Sequence, residues 1–289
     1  MKPCRRLGLA LLAAIAGGCS AAAPRAAPCA ASPFRSAPPL VIAHAGGEGL
    51  GPSNTILAMQ KSMEAGADIL DVDVRMTSDG VVVARHDRDL ATTTDGRGNV
   101  DQTSWADIER LDTRSGWTGA PIPEPVQVPS LEQILTTFPD VMISVEIKQS
   151  TPPMTAALCA VLRSTDSASR VYISSNDDDA AYDAQAECPA STIITTTYRD
   201  VDAMREARDS GGPWCAPAPI GQPPYREGRF DPDDVAWSHD HGMAIFTWTV
   251  DDAETLRELA VAGVDGVYTR RPDIARRVFD ELSGASPPS

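Results

Sequence analysis

The chemistry-bearing residues of this chain fall where apolar runs end. His44 closes the run in VIAHAGG, and His86 follows three valines in VVVARHD. Between them, Asp71 and Asp73 sit two apart in ILDVDV, so a strand would point both to one face. Glu146 and Lys148 repeat that spacing in VMISVEIKQS, with Ile147 on the other face, and Trp248 ends IFTWTV. Imidazole titrates near neutral pH, so two histidines could serve as general acid and general base. Asp71, Asp73 and Glu146 together make an oxygen-rich cage of the kind that hard divalent cations such as Mg2+ or Ca2+ prefer. Lys148 is a fixed positive charge for an anion in a chain whose only other lysines are Lys2 and Lys61. Singly, each residue has a plainer reading: aspartates facing solvent on an edge strand, a hydrogen-bonded core histidine, a Glu146–Lys148 ion pair, a packed tryptophan. Ionised groups in buried strands must be paired or bound to metal, and all of these fall at one end of different strands. Together they favour a functional reading.

The elements that must position them alternate along the chain. Strand-like runs cover Leu40 to Ala43, Ile69 to Val74, the valines that follow the Ser-Asp-Gly turn at 78 to 80, Val141 to Ile147, Val171 to Ser174, Thr192 to Thr196, Ala244 to Val250 and Gly266 to Thr269. Helical periodicity lies between most of them: Ile56, Met59 and Met63 recur at three and four before Gly66, and further helices are predicted over 130–137, 153–164, 179–187, 200–210 and 252–262. About eight such units in roughly 240 residues is the size of a (β/α)8 TIM barrel, read here as a single domain over 40–280. A doubly wound open sheet is the second choice, and no glycine-rich phosphate turn follows the first strand to support it. In a barrel, function gathers at the carboxyl ends of the strands, where these polar residues stand.

The termini read differently. Residues 1–18 have a basic start, a short apolar run from Leu7 to Ala16 and small residues after it, which marks a signal peptide rather than a membrane span. AGGC resembles the cleavage box of bacterial lipoproteins, with Cys19 as the lipid-bearing residue, although Ala16 stands where a larger aliphatic residue is usual. The chain is therefore expected to be exported and anchored to the membrane through Cys19 on the outer face of the bacterial cell membrane, the alternative being plain secretion. Residues 19–39, rich in Ala and Pro, read as a disordered or extended tether and 281–289 as a disordered tail. The net charge of −15 becomes −18 when the three basic residues of the signal are removed, which makes nucleic acid an unfavourable partner. Of the cysteines left, Cys29, Cys159, Cys188 and Cys215, an exported protein can pair some. Cys159 and Cys188, in consecutive predicted helices, are the preferred pair.

As a set, HAGG, PSNT, GADILDVDVRMTSDGVVVARHDRDL, VPSLEQIL, ISVEIK, TWTV and AGVDGVYTRRPD, in that order over about 40–273, resemble the glycerophosphodiester phosphodiesterases. The resemblance implies a metal-dependent TIM barrel acting on a small-molecule phosphodiester. His44 and His86 would be the acid/base pair, Asp71, Asp73 and Glu146 the metal ligands, Lys148 a phosphate contact and Trp248 part of the substrate pocket. The chain departs from that family at three positions: Ala45 replaces an arginine, Ser53 a glutamate, and Asp71 the usual glutamate. Arg75, in phase with Asp71 and Asp73, is the candidate replacement for the missing arginine. Hydrolysis of a glycerophosphodiester to glycerol 3-phosphate and an alcohol is the leading expectation. A relative acting on phospholipid or a cell-envelope polymer, with segment 211–228 supplying an apolar rim, and a lipid-anchored binding protein that has lost turnover are the alternatives.

Overall fold

The computed structural model describes residues 29–226 and 232–284. The expected signal peptide, Cys19 and the end of the tail from 285 lie outside the described residues.

Nine strands are seen among the described residues: β1 (Leu40–Ala43), β2 (Ile69–Met76), β3 (Val82–Ala84), β4 (Met142–Ile147), β5 (Val171–Ser175), β6 (Ile193–Ile194), β7 (Ile220–Gly221), β8 (Ala244–Thr247) and β9 (Gly266–Thr269). Eight run parallel in the order β6-β5-β4-β2-β1-β9-β8-β7. The two end strands are tied by Thr196 N–H donating to the Ile220 carbonyl at 2.9 Å, so the sheet curls into a nearly closed barrel. The helices are α1 (Ile56–Glu64), α2 (Trp105–Ile108), α3 (Leu131–Thr137), α4 (Thr155–Ser164), α5 (Asp178–Glu187), α6 (Tyr198–Ser210), α7 (Pro232–Asp240), α8 (Ala253–Ala262) and α9 (Pro272–Ser283). Among the described residues, no helix is long and apolar enough to cross a membrane.

Period-two alternation sorts each strand. In β2, Leu70, Val72 and Val74 join the core shared with the helices, while Ile69, Asp71 and Asp73 point into the barrel. In β4, Ile143, Val145 and Ile147 face outward, leaving Met142, Ser144 and Glu146 inside. The register pairs Ile69 with Met142, Asp71 with Ser144, and Asp73 with Glu146. The barrel interior is therefore apolar at its floor, polar at its middle and charged at its mouth. The floor is filled by Ile42, Ile69, Tyr172, Ile220, Ala244, Phe246 and Tyr268.

Four expectations are corrected. The run ending at His86 is not a barrel strand: β3 is an antiparallel partner of β2, pairing Val74 with Ala84 and Met76 with Val82. β2 overshoots the barrel and the tight turn sends the chain back, so the residues after β3 still return to the mouth. The eighth barrel strand is instead β7, two residues inside segment 211–228, for which no strand was expected. The segment expected to be a free tether is, from Cys29 on, packed against the barrel floor. Ser32 Oγ donates to the Pro219 carbonyl at 2.7 Å, and Ser36 N–H to Asp265 Oδ1 at 3.2 Å. The Phe34 ring meets Tyr172 and Phe246 edge-on at 6.5 and 6.2 Å, and Cys29 is bonded to Cys215. The tail begins later than expected, because α9 runs to Ser283. The Cys159–Cys188 disulfide is present, joining α4 to the residue after α5.

Candidate active site

His44 stands at the carboxyl end of β1, beside Asp71 of β2. Gly47 makes the turn after it, at φ 88°, where a Cβ would lie 1.9 Å from Ser62 Oγ. That glycine serves the close docking of α1, whose first turn is capped by Thr55 Oγ1 accepting from Ala58 N–H at 3.2 Å. The turn holds Ala45 at φ 49° with its N–H donating to Asp71 Oδ2 at 3.2 Å. His44 Nδ1 donates to the same oxygen at 3.0 Å, which leaves Nε2 as the ring nitrogen free for chemistry. Burial works against a charged His44 ring, but the hydrogen bond and charge of Asp71, helped by Asp73 and Glu48, prevail and raise it to about 9.

Asp73 is fully buried. Asn54, at φ 59°, grips it twice: Nδ2 donates to Oδ2 and Oδ1 accepts from the Asp73 backbone N–H, both at 2.9 Å. Lys148 reaches into the mouth with Nζ 2.6 Å from Glu146 Oε1 and 3.2 Å from Asp73 Oδ1. Both contacts are ion pairs outside hydrogen-bond alignment, so Asp73 Oδ1 is a buried oxygen with a charge beside it and no aligned donor. Burial raises the Glu146 carboxyl above its ordinary range against the pull of Lys148, with Asp73 adding to the rise. Burial lowers Lys148, but the paired charges of Asp73 and Glu146 outweigh it and the net shift is upward.

His86 belongs to a second, more open group. Arg85 N–H donates to the Asp73 carbonyl at 2.8 Å, which fixes the returning chain one residue before His86. The His86 side chain is 57% exposed, with Nδ1 3.1 Å from Asp87 Oδ1. Arg75 donates through Nε to the His86 carbonyl at 2.8 Å, so it stands beside His86 rather than in the place of Ala45, which is buried. Trp248 donates through Nε1 to the Gln222 carbonyl at 2.9 Å and is 39% exposed at the end of β8.

His44 and Asp71 thus form one pair, Asp73, Lys148 and Glu146 a cluster two residues further along the same strands, and His86 and Arg75 a third group beside it. Sequence reasoning missed the neutral partners. Asn54 lay in a quoted motif and Ser144 is in phase with Glu146, but neither ionises. Asn176, whose Nδ2 donates to Glu146 Oε1 at 3.1 Å, and Tyr198, whose hydroxyl donates to Asn176 Oδ1 at 3.1 Å, carry no local signal at all.

A hard cation would find oxygen donors in Asp73 and Glu146, and the donorless Asp73 Oδ1 is the atom that fits such a ligand. Lys148 holds that position between the two carboxylates. Among the described residues, no group of three or more His, Cys, Asp or Glu side chains converges as a metal cage.

The profile of the Glycerophosphoryl diester phosphodiesterase family matches residues 44–274. A glycerophosphodiester phosphodiesterase of Bacillus subtilis (strain 168) is 27% identical over 256 residues, covering 83% of this chain and 86% of its own. The crystal structure of a glycerophosphodiester phosphodiesterase from Agrobacterium tumefaciens C58 superposes with a TM-score of 0.68 at 24% identity, covering 83% of this chain and 99% of that one. An Oleispira antarctica phosphodiesterase, solved with its product sn-glycerol-3-phosphate, has a TM-score of 0.68 at 21% identity, covering 84% and 97%. These two show the same barrel, and the profile spans most of the chain: it belongs to the glycerophosphoryl diester phosphodiesterase family.

Proposed function

We propose that this chain is a metal-dependent hydrolase that cleaves glycerophosphodiesters to glycerol 3-phosphate and an alcohol, with His44 and His86 as its acid/base pair. The observation that carries the reading is the mouth of the barrel. There a histidine oriented by a buried carboxylate stands beside an Asp73–Lys148–Glu146 cluster whose donors suit a cation and a phosphate. Asp73 and Glu146 would hold Mg2+ or Ca2+, which when bound neutralises charge on the phosphoryl oxygens. Lys148 binds the same phosphate. One histidine removes the proton of a glycerol hydroxyl as its oxygen bonds to phosphorus. The other protonates the departing alcohol oxygen as its bond to phosphorus breaks. Water then opens the cyclic phosphate, with the two histidines exchanging roles. Trp248 lines the pocket, and Arg75 supplies positive charge from the His86 side.

The full-length protein is incubated with glycerophosphocholine and Mg2+ or Ca2+, with and without chelator, and glycerol 3-phosphate is measured. Release that needs the cation and is lost in H44A and H86A supports the reading. No glycerol 3-phosphate with either cation refutes the substrate, and full activity in either histidine variant refutes the mechanism. The same reading includes export and anchorage through Cys19, which metabolic lipid labelling of wild type against C19S tests.

A further inference from the structure

The inward column of β2 and β4 has two polar levels, and they differ in what their carboxylates face. Asp73 and Glu146 are paired at the upper level, and Asp71 and Ser144 are paired two residues deeper. At the rise of a strand, two residues are about 7 Å. The upper level meets Lys148 and carries the donorless oxygen. The lower level is closed. Asp71 is 2% exposed and both its oxygens are engaged: Oδ2 by His44 Nδ1 at 3.0 Å and the Ala45 N–H at 3.2 Å, Oδ1 by Ser144 Oγ at 2.7 Å.

Behind Ser144 stands a chain of buried hydroxyls. Tyr268 lies 3.3 Å from Ser144 Oγ, Tyr172 lies 3.0 Å from the Tyr268 hydroxyl, and Gln222 Nε2 also donates to Tyr268. One assignment satisfies every member. Because Ser144 donates to the carboxylate, Tyr268 donates to Ser144 and Tyr172 to Tyr268, so each hydroxyl proton points toward Asp71. A carboxylate braced from below in this way is fixed in position, and what it fixes in turn is the imidazole ring beside it.

We infer that Asp71 is a positioning residue for His44, braced by Ser144, and that it is not a ligand of the cation. A glutamate here would carry one more methylene toward the upper level; the aspartate stays at the level of Ser144 and His44. Mg2+ is commonly held by one or two carboxylates together with waters and substrate phosphate, so Asp73 and Glu146 suffice without a third. The inference rests on the proposed phosphodiesterase reading for its kinetic arm only.

The test uses the full chain as wild type, D71N, S144A and D73N. Calorimetry with Mg2+ and with Ca2+ should give D71N an affinity within about threefold of wild type and D73N an affinity weaker by about 30-fold or more. The 15N spectrum of the neutral His44 ring should show a proton on Nδ1 in wild type, shifted toward Nε2 in D71N and partly mixed in S144A. With glycerophosphocholine, kcat should fall about 10³–10⁴-fold in D71N and about tenfold in S144A, with KM nearly unchanged in both. Loss of cation affinity in D71N equal to that in D73N overturns the assignment, and so does an unchanged His44 tautomer. Where D71N does not fold, an unchanged ring spectrum and unchanged kcat in S144A overturn it. Where wild type binds neither cation, the ring spectrum decides alone. A wild type that binds cation but releases no glycerol 3-phosphate refutes the proposed function, while the affinity and ring arms still judge Asp71.

Discussion

Replacing Asn54 isolates the clamp that holds Asp73 in place. The side chain makes two hydrogen bonds at 2.9 Å, one to the carboxylate and one from the backbone N–H of Asp73, and both residues are buried. N54A removes a bond to a charged group worth about 1.5–3 kcal/mol and leaves a buried N–H without an acceptor, at about 1–3 kcal/mol. The backbone at φ 59° adds roughly 1 kcal/mol, because alanine tolerates the left-handed region less well than asparagine. The total is about 3.5–7 kcal/mol, a fall of roughly 7–28 °C in Tm for a domain of this size. N54G lacks the two bonds but not the conformational freedom, so it should melt a few degrees above N54A. The assay is thermal unfolding followed by circular dichroism, with kcat measured on the folded fraction, which should drop about 10–100-fold as Asp73 loosens. A loss under about 1 kcal/mol in N54A, or equal melting of the two variants together with full activity, would refute the clamp.

In chelator, the His44 ring of the native protein should titrate near pH 9 by NMR, and D71N should bring it back down because burial then acts with less opposition. Since the folded value lies above that of the unfolded chain, the stabilisation His44 provides is complete below about pH 6.5 and is lost as pH rises through about 9. A stability curve that rises over that interval once D71N is subtracted contradicts the ion pair. The double variant C29S/C215S opens a loop with a sequence separation of 186 residues. By loop entropy it should lose up to about 5 kcal/mol in nonreducing melts, against about 4 kcal/mol for C159S/C188S; an unchanged Tm in the first would show that the floor segment adds no stability through its bond. K148M removes the ammonium lying between Asp73 and Glu146. It should bind Mg2+ at least as tightly as wild type by calorimetry while kcat falls about 100-fold for want of the phosphate contact, and weaker Mg2+ binding would argue that Lys148 supports the cation site.

The parts of this protein that follow a period were legible before any coordinates. Asp71 with Asp73 and Glu146 with Lys148 could be placed on one face because strand side chains alternate, whatever sheet the strand joins. Direction is not written in that pattern. The valines before His86 read as a barrel strand when they are the returning arm of a hairpin, yet the histidine reaches the mouth by either route. β7 was hidden for the opposite reason: Ile220 and Gly221 form a stave only because β8 lies beside them, and the surrounding prolines and glycines suppress any local signal. Asn54 and Ser144 carry no titrating group to mark them in a sequence, whereas their work is to hold such groups still. Composition misread residues 29–39, since what orders Phe34 and Ser32 is contact with Tyr172, Pro219 and Phe246, far along the chain.

With the anchor at Cys19 proposed above, that floor segment would also set which way the enzyme looks. The chain enters the barrel at Cys29 and Phe34, beneath the strands, while His44 and Lys148 open at the far end. An anchor at Cys19 would leave ten residues of leash before Cys29, at most about 35 Å even when fully drawn out. A molecule so anchored would stand on its closed end with its mouth turned outward, and would sample the fluid beyond the membrane rather than the lipid beneath it. Soluble diesters arriving from outside would meet the site first, and intact bilayer lipids would have to leave their leaflet to be cut.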